Sequence, residues 1–140
     1  MTISENFRIQ LAAPSIDDFL LLREKVGWQN VSVNDAKISL KNSLFHITVY
    51  IQDQLVGMGR VVGDGVMYFY IQDIVVHPEH QGLGIGAIIM EQVEAYLSNT
   101  AVANATVGLL SAKGKEAFYA RYGYITRPNA ALGHGMCKFV

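Results

Sequence analysis

The chain has 140 residues, enough for one domain of ordinary size, and its 51% hydrophobic and 16% charged content excludes a disordered polypeptide. A formal net charge of −1, with no run of Lys or Arg, argues against a nucleic-acid partner, which needs a basic stripe to displace counterions from phosphates. The one cysteine, Cys137, excludes an internal disulfide and suits a reducing compartment.

Met1 to Gln10 carries Glu5 and Arg8 and no apolar run, so it does not read as a signal peptide. No stretch reaches the roughly 18 apolar residues of a membrane span. A cytoplasmic protein without a membrane partner is the expectation, and residues 1–140 are expected to form one domain. Low charge on so small a domain leaves room for a homodimer face or an apolar substrate channel as well as a plain core.

Phe7 to Leu11 reads as a first strand, closed by Pro14. Ser15, followed by Asp17 and Asp18, is an N-cap with acidic residues at the positive end of a helix. Ile16, Phe19, Leu20, Arg23 and Val26 keep helical spacing, with Arg23 on the polar edge, and Gly27 ends the run. A shorter helix is expected from about Asn34 to Lys41. The period then changes to two. Phe45 to Ile51, Leu55 to Val62 and Val66 to Val76 form a meander, turning at Gln52–Gln54 and Gly63–Gly65. Gly57 and Gly59 weaken the middle strand and point to a bulge or a close neighbour. His77-Pro78 stops the third strand of the meander. A helix from about Gly84 to Leu97 buries Ile85, Ile88, Ile89, Val93, Tyr96 and Leu97. Thr106 to Leu110 is a strand, Lys113 to Tyr122 a helix stopped by Gly123, and Met136 to Phe139 a last strand. The order is β-α-α-β-β-β-α-β-α-β: a mixed, mostly antiparallel twisted sheet flanked by helices, of α/β (α+β) class.

The informative segment is Ile74 to Ala87, where a buried strand stops and a glycine-rich turn, Gln81-Gly82-Leu83-Gly84-Ile85-Gly86, opens a helix. The first helical turn has amides without intrahelical partners, and the macrodipole adds to their pull on an anion. Three nucleotide sites compete. A Walker A loop requires Gly-Lys-Ser/Thr, which is absent. Gly82, Gly84 and Ala87 do satisfy the dinucleotide fingerprint, but that motif follows the first strand of a parallel sheet and needs an acidic residue about 20 positions on. Here it follows a meander, and Ala101 to Leu110 holds no Asp or Glu. The third site is a coenzyme A diphosphate.

Gln81-x-x-Gly84-x-Gly86 resembles the Q/R-x-x-G-x-G/A signature of the GNAT superfamily of N-acetyltransferases, and Phe118-Tyr119 with Gly123-Tyr124 resembles that family's second segment, F-Y-x-x-x-G-F/Y. The element order agrees, and the likeness covers nearly the whole chain. Lys25–Trp28, Leu55–Arg60, Ile71–Val76 and Gly135-Met136 further resemble plant-type serotonin N-acetyltransferase relatives, which points to a small, aromatic amine as acceptor.

The resemblance implies acetyl-CoA as co-substrate, no metal, and direct attack by an amine in a ternary complex. It implies backbone bonds from Val75 and Val76 to the pantetheine, the diphosphate on Gln81, Gly82, Leu83, Gly84, Ile85 and Gly86, and Tyr119 as the acid that protonates the departing thiolate. Many relatives carry an asparagine after the fifth strand where this chain has Ser111-Ala112-Lys113-Gly114-Lys115, so Ser111 is the substitute hydrogen-bond group and Lys113 or Lys115 is the candidate to reach a 3′-phosphate. An alkylamine is neutral in about one molecule in 10³ at pH 7, a penalty of roughly 4 kcal/mol that a base relieves. Asp73, an isolated carboxylate in an apolar strand, is the candidate base or anchor of a water chain; the alternative is a solvated carboxylate or one paired with Arg60. His77 and His80 read as surface histidines. Trp28, Tyr68 and Tyr70 are the candidate acceptor-pocket residues. The rival to an enzyme is a non-catalytic acyl-CoA-binding module on the same fold.

Overall fold

A computed structural model describes residues 7–140; Met1–Asn6, and with them most of the N-terminal segment read above, lie outside the described residues. The chain divides into two compact units, one reaching to Leu109 and one running from Leu110 to Val140.

In the first unit β1 (Phe7–Gln10), β2 (Phe45–Ile51), β3 (Gln54–Gly63), β4 (Tyr68–Val76) and β5 (Thr106–Leu109) form one sheet in the order β1-β2-β3-β4-β5. The first four strands are antiparallel, and only β4 and β5 run parallel. This is not the parallel sheet that a dinucleotide fingerprint demands. Two helices, α1 (Ile16–Lys25) and α2 (Val33–Lys41), separate β1 from β2, and α3 (Ile85–Thr100) joins β4 to β5. Ser15 caps α1 as expected, its hydroxyl accepting the Asp18 N–H at 3.2 Å. Ser32 does the same for α2 through Asp35 at 3.1 Å, so that helix starts at Val33.

The helices pack on opposite faces of the sheet. On one face Phe19 and Leu22 of α1 and Ala36 and Leu40 of α2 bury Leu55, Met58 and Val75. The other face belongs to α3, whose buried stripe is Ile85, Ile89, Met90, Val93 and Leu97; Ile88 and Tyr96 are only half-buried. Gly57 and Gly59 owe their place to this second contact. A Cβ on Gly57 would stand 2.7 Å from Ile85 Cγ2, and one on Gly59 would stand 2.9 Å from Ile89 Cγ2 and 2.6 Å from Ile74 Cδ1. Both sequence readings hold: α3 is the close neighbour, and β3 bulges beside Gly57, where Val49 pairs with Gly57 and Tyr50 with Leu55, leaving Val56 as the extra residue.

A second bulge lies opposite Gly59, with its extra residue in β4. Met58 pairs with Val75 and Arg60 with Gln72, so Asp73 and Ile74 share the space across from one β3 residue. Asp73 takes φ +57°, left-handed and open to Asp more than to most residues. The insertion reverses side-chain parity. Phe69 contacts Tyr96 of α3, and Ile74, five positions on, also faces α3 beside Ile89. Asp73 and Val75 therefore turn toward α1 and α2.

In the second unit α4 (Glu116–Ala120) is shorter than the expected Lys113–Tyr122. Lys115 at its N-cap makes no side-chain cap bond, and Gly123 at φ +91° follows its last turn. The expected strand Met136–Phe139 does not form; Met136 is 89% exposed and Phe139 96%. Alternating apolar residues become a strand only where a neighbour completes the ladder.

Candidate active site

The strand-to-helix turn has the anticipated form. After Val76 the chain makes a 3₁₀ turn, Pro78–His80, and then passes through Gly82 and Gly84 at φ +80° and +86°. Gly84 is the N-cap of α3 and contributes no side-chain bond, and no acidic residue stands in the first turn. The first bond of the helix runs from Ile88 N–H to the Gly84 carbonyl at 3.2 Å, so the amides of Ile85, Gly86 and Ala87 have no intrahelical acceptor. A Cβ at Gly82 or Gly84 would meet nothing within 4 Å. Glycine here serves the left-handed backbone and leaves the amides uncovered. The cradle fits a diphosphate: concentrated donors, a helix dipole and a first turn free of carboxylates. Gln81 has a second task. Its Nε2 donates to the Val76 carbonyl at 3.2 Å and braces the turn against the strand end.

Beside the cradle, β4 has an open edge. Its pairing with β5 ends at Ile71 and Leu109, leaving Gln72 to Val76 without a β5 partner among the described residues. His77 N–H donates to Val56 O at 2.8 Å, so alternate residues of the antiparallel pair bond toward β3. Val75 is one of these, and Val76 directs its N–H and C=O to the open edge. Val75 thus bonds toward β3 and packs its side chain in the α1–α2 core, while Val76 has its backbone groups on the open edge.

Asp73 is 2% exposed and lies at the centre of an ionic junction. Its Oδ1 accepts from Arg23 Nη1 and its Oδ2 from Arg60 Nε at 2.7 Å. Gln72 Nε2 donates to Oδ1 at 3.3 Å. Arg23 also donates to Asn30 Oδ1 at 2.9 Å and to the Gln29 carbonyl at 2.8 Å. Arg60 donates from Nη1 to the Ser39 carbonyl, the Ser39 hydroxyl and the Ser43 hydroxyl at 3.0–3.2 Å. The geometry thus matches the alternative in which Asp73 is paired with Arg60. The second arginine was missed. Arg23 does not stand on a polar edge: its side chain is 19% exposed. The available signal was its spacing, four residues after Phe19 within the apolar stripe, which calls for a buried carboxylate as partner.

The remaining candidates stand on several elements. Trp28 packs against the α1–α2 core beneath the Arg23 guanidinium, 5.2 Å from its ring centre. Tyr68, 59% exposed, and Tyr70, half-buried, pair with Thr106 and Gly108 at the start of β4. Strand rise puts Tyr68 about 25 Å from Val76, so the fold does not bring it to the cradle. His77 is a buried residue, not a surface one: at 8% exposure its Nδ1 accepts the Glu79 N–H at 3.1 Å. A neutral ring so bonded carries its proton on Nε2. His77 also lines a cleft of about 440 Å³ with Asp18, Lys25, Asp53, Leu55 and Glu79. In the second unit the Ser111 hydroxyl donates to the Ala112 carbonyl at 2.8 Å, and Lys115 is exposed. Tyr119 is half-buried with the Phe118 ring edge-on at 5.0 Å, and burial pushes its phenol above the ordinary value of 10.0. Among the described residues no helix is long and apolar enough to cross a membrane.

Comparison with known proteins agrees with this geometry. The acetyltransferase (GNAT) domain family matches residues 24–139. The chain is 31% identical over 116 residues to the uncharacterized N-acetyltransferase ycf52 of Pyropia yezoensis, covering 80% of this chain and 66% of that protein, a little under two thirds of its length. It is 36% identical over 78 residues to the chloroplastic serotonin N-acetyltransferase 2 of Oryza sativa subsp. japonica, covering 56% of this chain and 38% of that protein. Among solved structures, a probable acetyltransferase from methicillin-resistant Staphylococcus aureus superposes with a TM-score of 0.86 at 32% identity, over 95% of this chain and 99% of that one.

Proposed function

This chain belongs to the GNAT family of acetyltransferases, and from that premise we propose that it moves an acetyl group from acetyl-CoA to the amine of a small, cationic, aromatic acceptor. The observation that carries the reading is the cradle at the start of α3: three helix-terminal amides beneath two left-handed glycines, beside the open edge of β4. The amides of Ile85, Gly86 and Ala87 hold the diphosphate, and Gly82, Leu83 and Gly84 wrap it. Val76 offers its N–H to the pantetheine, with its carbonyl held in place by Gln81. Ser111 and Lys115 are assigned the remaining polar contacts. Acetyl-CoA, when bound, supplies a thioester whose carbonyl a backbone donor polarises, a contribution of about 2.7–4 kcal/mol in other acyl-transfer enzymes.

Tyr119 is assigned as the proton donor to the departing thiolate. Burial keeps its phenol protonated above the usual tyrosine range, so the donor is charged with its proton throughout the neutral range. The acceptor class rests on two supports. Asp18, Asp53 and Glu79 against Lys25 give the cleft beside His77 an excess of negative charge, which favours an ammonium group on approach. The named substrate of the rice relative makes an arylalkylamine the first compound to test. The cytoplasm is the proposed compartment. Thiol release from acetyl-CoA, followed across aliphatic, aromatic and polyamine acceptors, tests the reading. Turnover greatest with a cationic arylalkylamine is expected. Stabilisation by acetyl-CoA with no thiol released from any amine would instead identify an acyl-CoA-binding module.

A further inference from the structure

We infer that Asp73 is a positioning residue for acetyl transfer, held with Arg23 and Arg60 in a junction that sets the course of β4 past the reacting thioester; the inference rests on the acetyl-transfer reading above. A proton acceptor must meet the amine, and Asp73 cannot. Its side chain is 1% exposed, and each of its oxygens is engaged by a guanidinium. What the residue does control is backbone direction. At φ +57° it is the left-handed member of the β4 bulge, and it inserts the extra position that turns Val75 toward α1 and Val76 toward the open edge. In an unbroken strand Asp73 would share the face of Phe69, against α3, a helix that carries no Lys or Arg.

The two arginines make this bulge the obligatory one. Each brings a charge that needs a buried counter-ion, and only the bulged register delivers the carboxylate to both. Arg23 fixes α1 and, through Gln29 and Asn30, the segment that follows it. Arg60 fixes β3 and, through Ser39 and Ser43, the end of α2. One carboxylate therefore ties the α1–α2 pair to the strand whose far edge is assigned to acetyl-CoA. Loosening it misdirects the edge at the reaction centre while leaving the diphosphate cradle, which begins eight residues later at Gln81, to fold from its own glycines.

The test compares Asp73→Asn and Arg23→Gln with the parent protein. Asparagine keeps the tolerance for left-handed backbone and removes the charge; glutamine removes one clamp and leaves Asp73 in place. Both variants are expected to lose tenfold or more in kcat, to bind coenzyme A within threefold of the parent by calorimetry, and to keep the midpoint of the acid limb of the pH–rate profile. Hydrogen exchange at the Val75 amide, which bonds to β3, is expected to rise in both, while exchange within α3 stays unchanged. This last readout needs no turnover, so it decides whether the junction sets the course of β4 even where the parent releases no thiol, and it separates failure of the junction from failure of the proposed function. Should Asp73→Asn not fold, Arg23→Gln carries the comparison alone. A flattened acid limb in Asp73→Asn with Arg23→Gln fully active would make Asp73 the base. Parent-like exchange and turnover in both variants would reduce the junction to packing.

Discussion

At Gly84 the backbone stands at φ +86°, a conformation that costs a residue with a Cβ roughly 1–2 kcal/mol. Space is not the constraint, since a Cβ there meets nothing within 4 Å in the free protein. Gly84→Val should therefore yield a folded protein whose affinity for coenzyme A falls more than tenfold by calorimetry; undiminished affinity would show that the turn is structural only. Tyr119→Phe tests a different step. It should lower kcat tenfold or more with coenzyme A affinity nearly unchanged, because the phenol is assigned to proton donation and not to binding. His46 gives a stability signature. Burial is the main cause holding its pKa below 6.5, opposed by its bond to the Leu40 carbonyl and reinforced by Arg60. The folded state thus keeps the ring neutral where the unfolded chain protonates it. Stability from this group is complete above pH 6.5 and declines as pH falls toward the lowered folded value. Thermal melts across that window should show the decline, and His46→Gln should remove that part of it.

At the scale of elements, the contact between α3 and the sheet depends on Gly57 and Gly59 as much as on the isoleucines above them. Gly57→Ala would press a methyl to 2.7 Å from Ile85 Cγ2, on a side chain 1% exposed whose β-branch cannot swing aside. A loss of about 1–3 kcal/mol is expected in urea unfolding. The same substitution bears on function, because Ile85 is the first residue of α3 and shifting it moves the cradle amides. The helix caps are more separable. Ser15→Ala and Ser32→Ala should each cost about 1 kcal/mol and leave the binding of coenzyme A intact.

For the molecule as a whole, binding that is confined to the folded state appears as thermal stabilisation. Coenzyme A at 100 times its dissociation constant should add about 2.7 kcal/mol, and NAD at the same concentration should add nothing. An equal shift with NAD would reopen the dinucleotide reading, which the antiparallel arrangement of β1 to β4 argues against. The two compact units differ in how well periodicity described them. Up to Leu109 each expected strand and helix is present, with ends moved by a few residues. After Leu110 the helix shrinks to Glu116–Ala120 and the last strand is absent, because short elements draw their stability from neighbours that local pattern does not reveal.

The amino-acid order alone determined the cradle, since every part of it is local. A proline ends a strand, glycines take the left-handed turn, and an apolar stripe at helical spacing begins at Ile85. Only the tertiary structure decided what surrounds Asp73. Its partners lie 50 and 13 residues away in sequence, and the bulge that delivers it to them is a matter of register between β3 and β4. The same register chose Val76 over Val75 for the open edge. Pairing across strands is a non-local choice, settled when two helices and two strands must bury their charges and apolar faces together, and no window of the chain contains all of them.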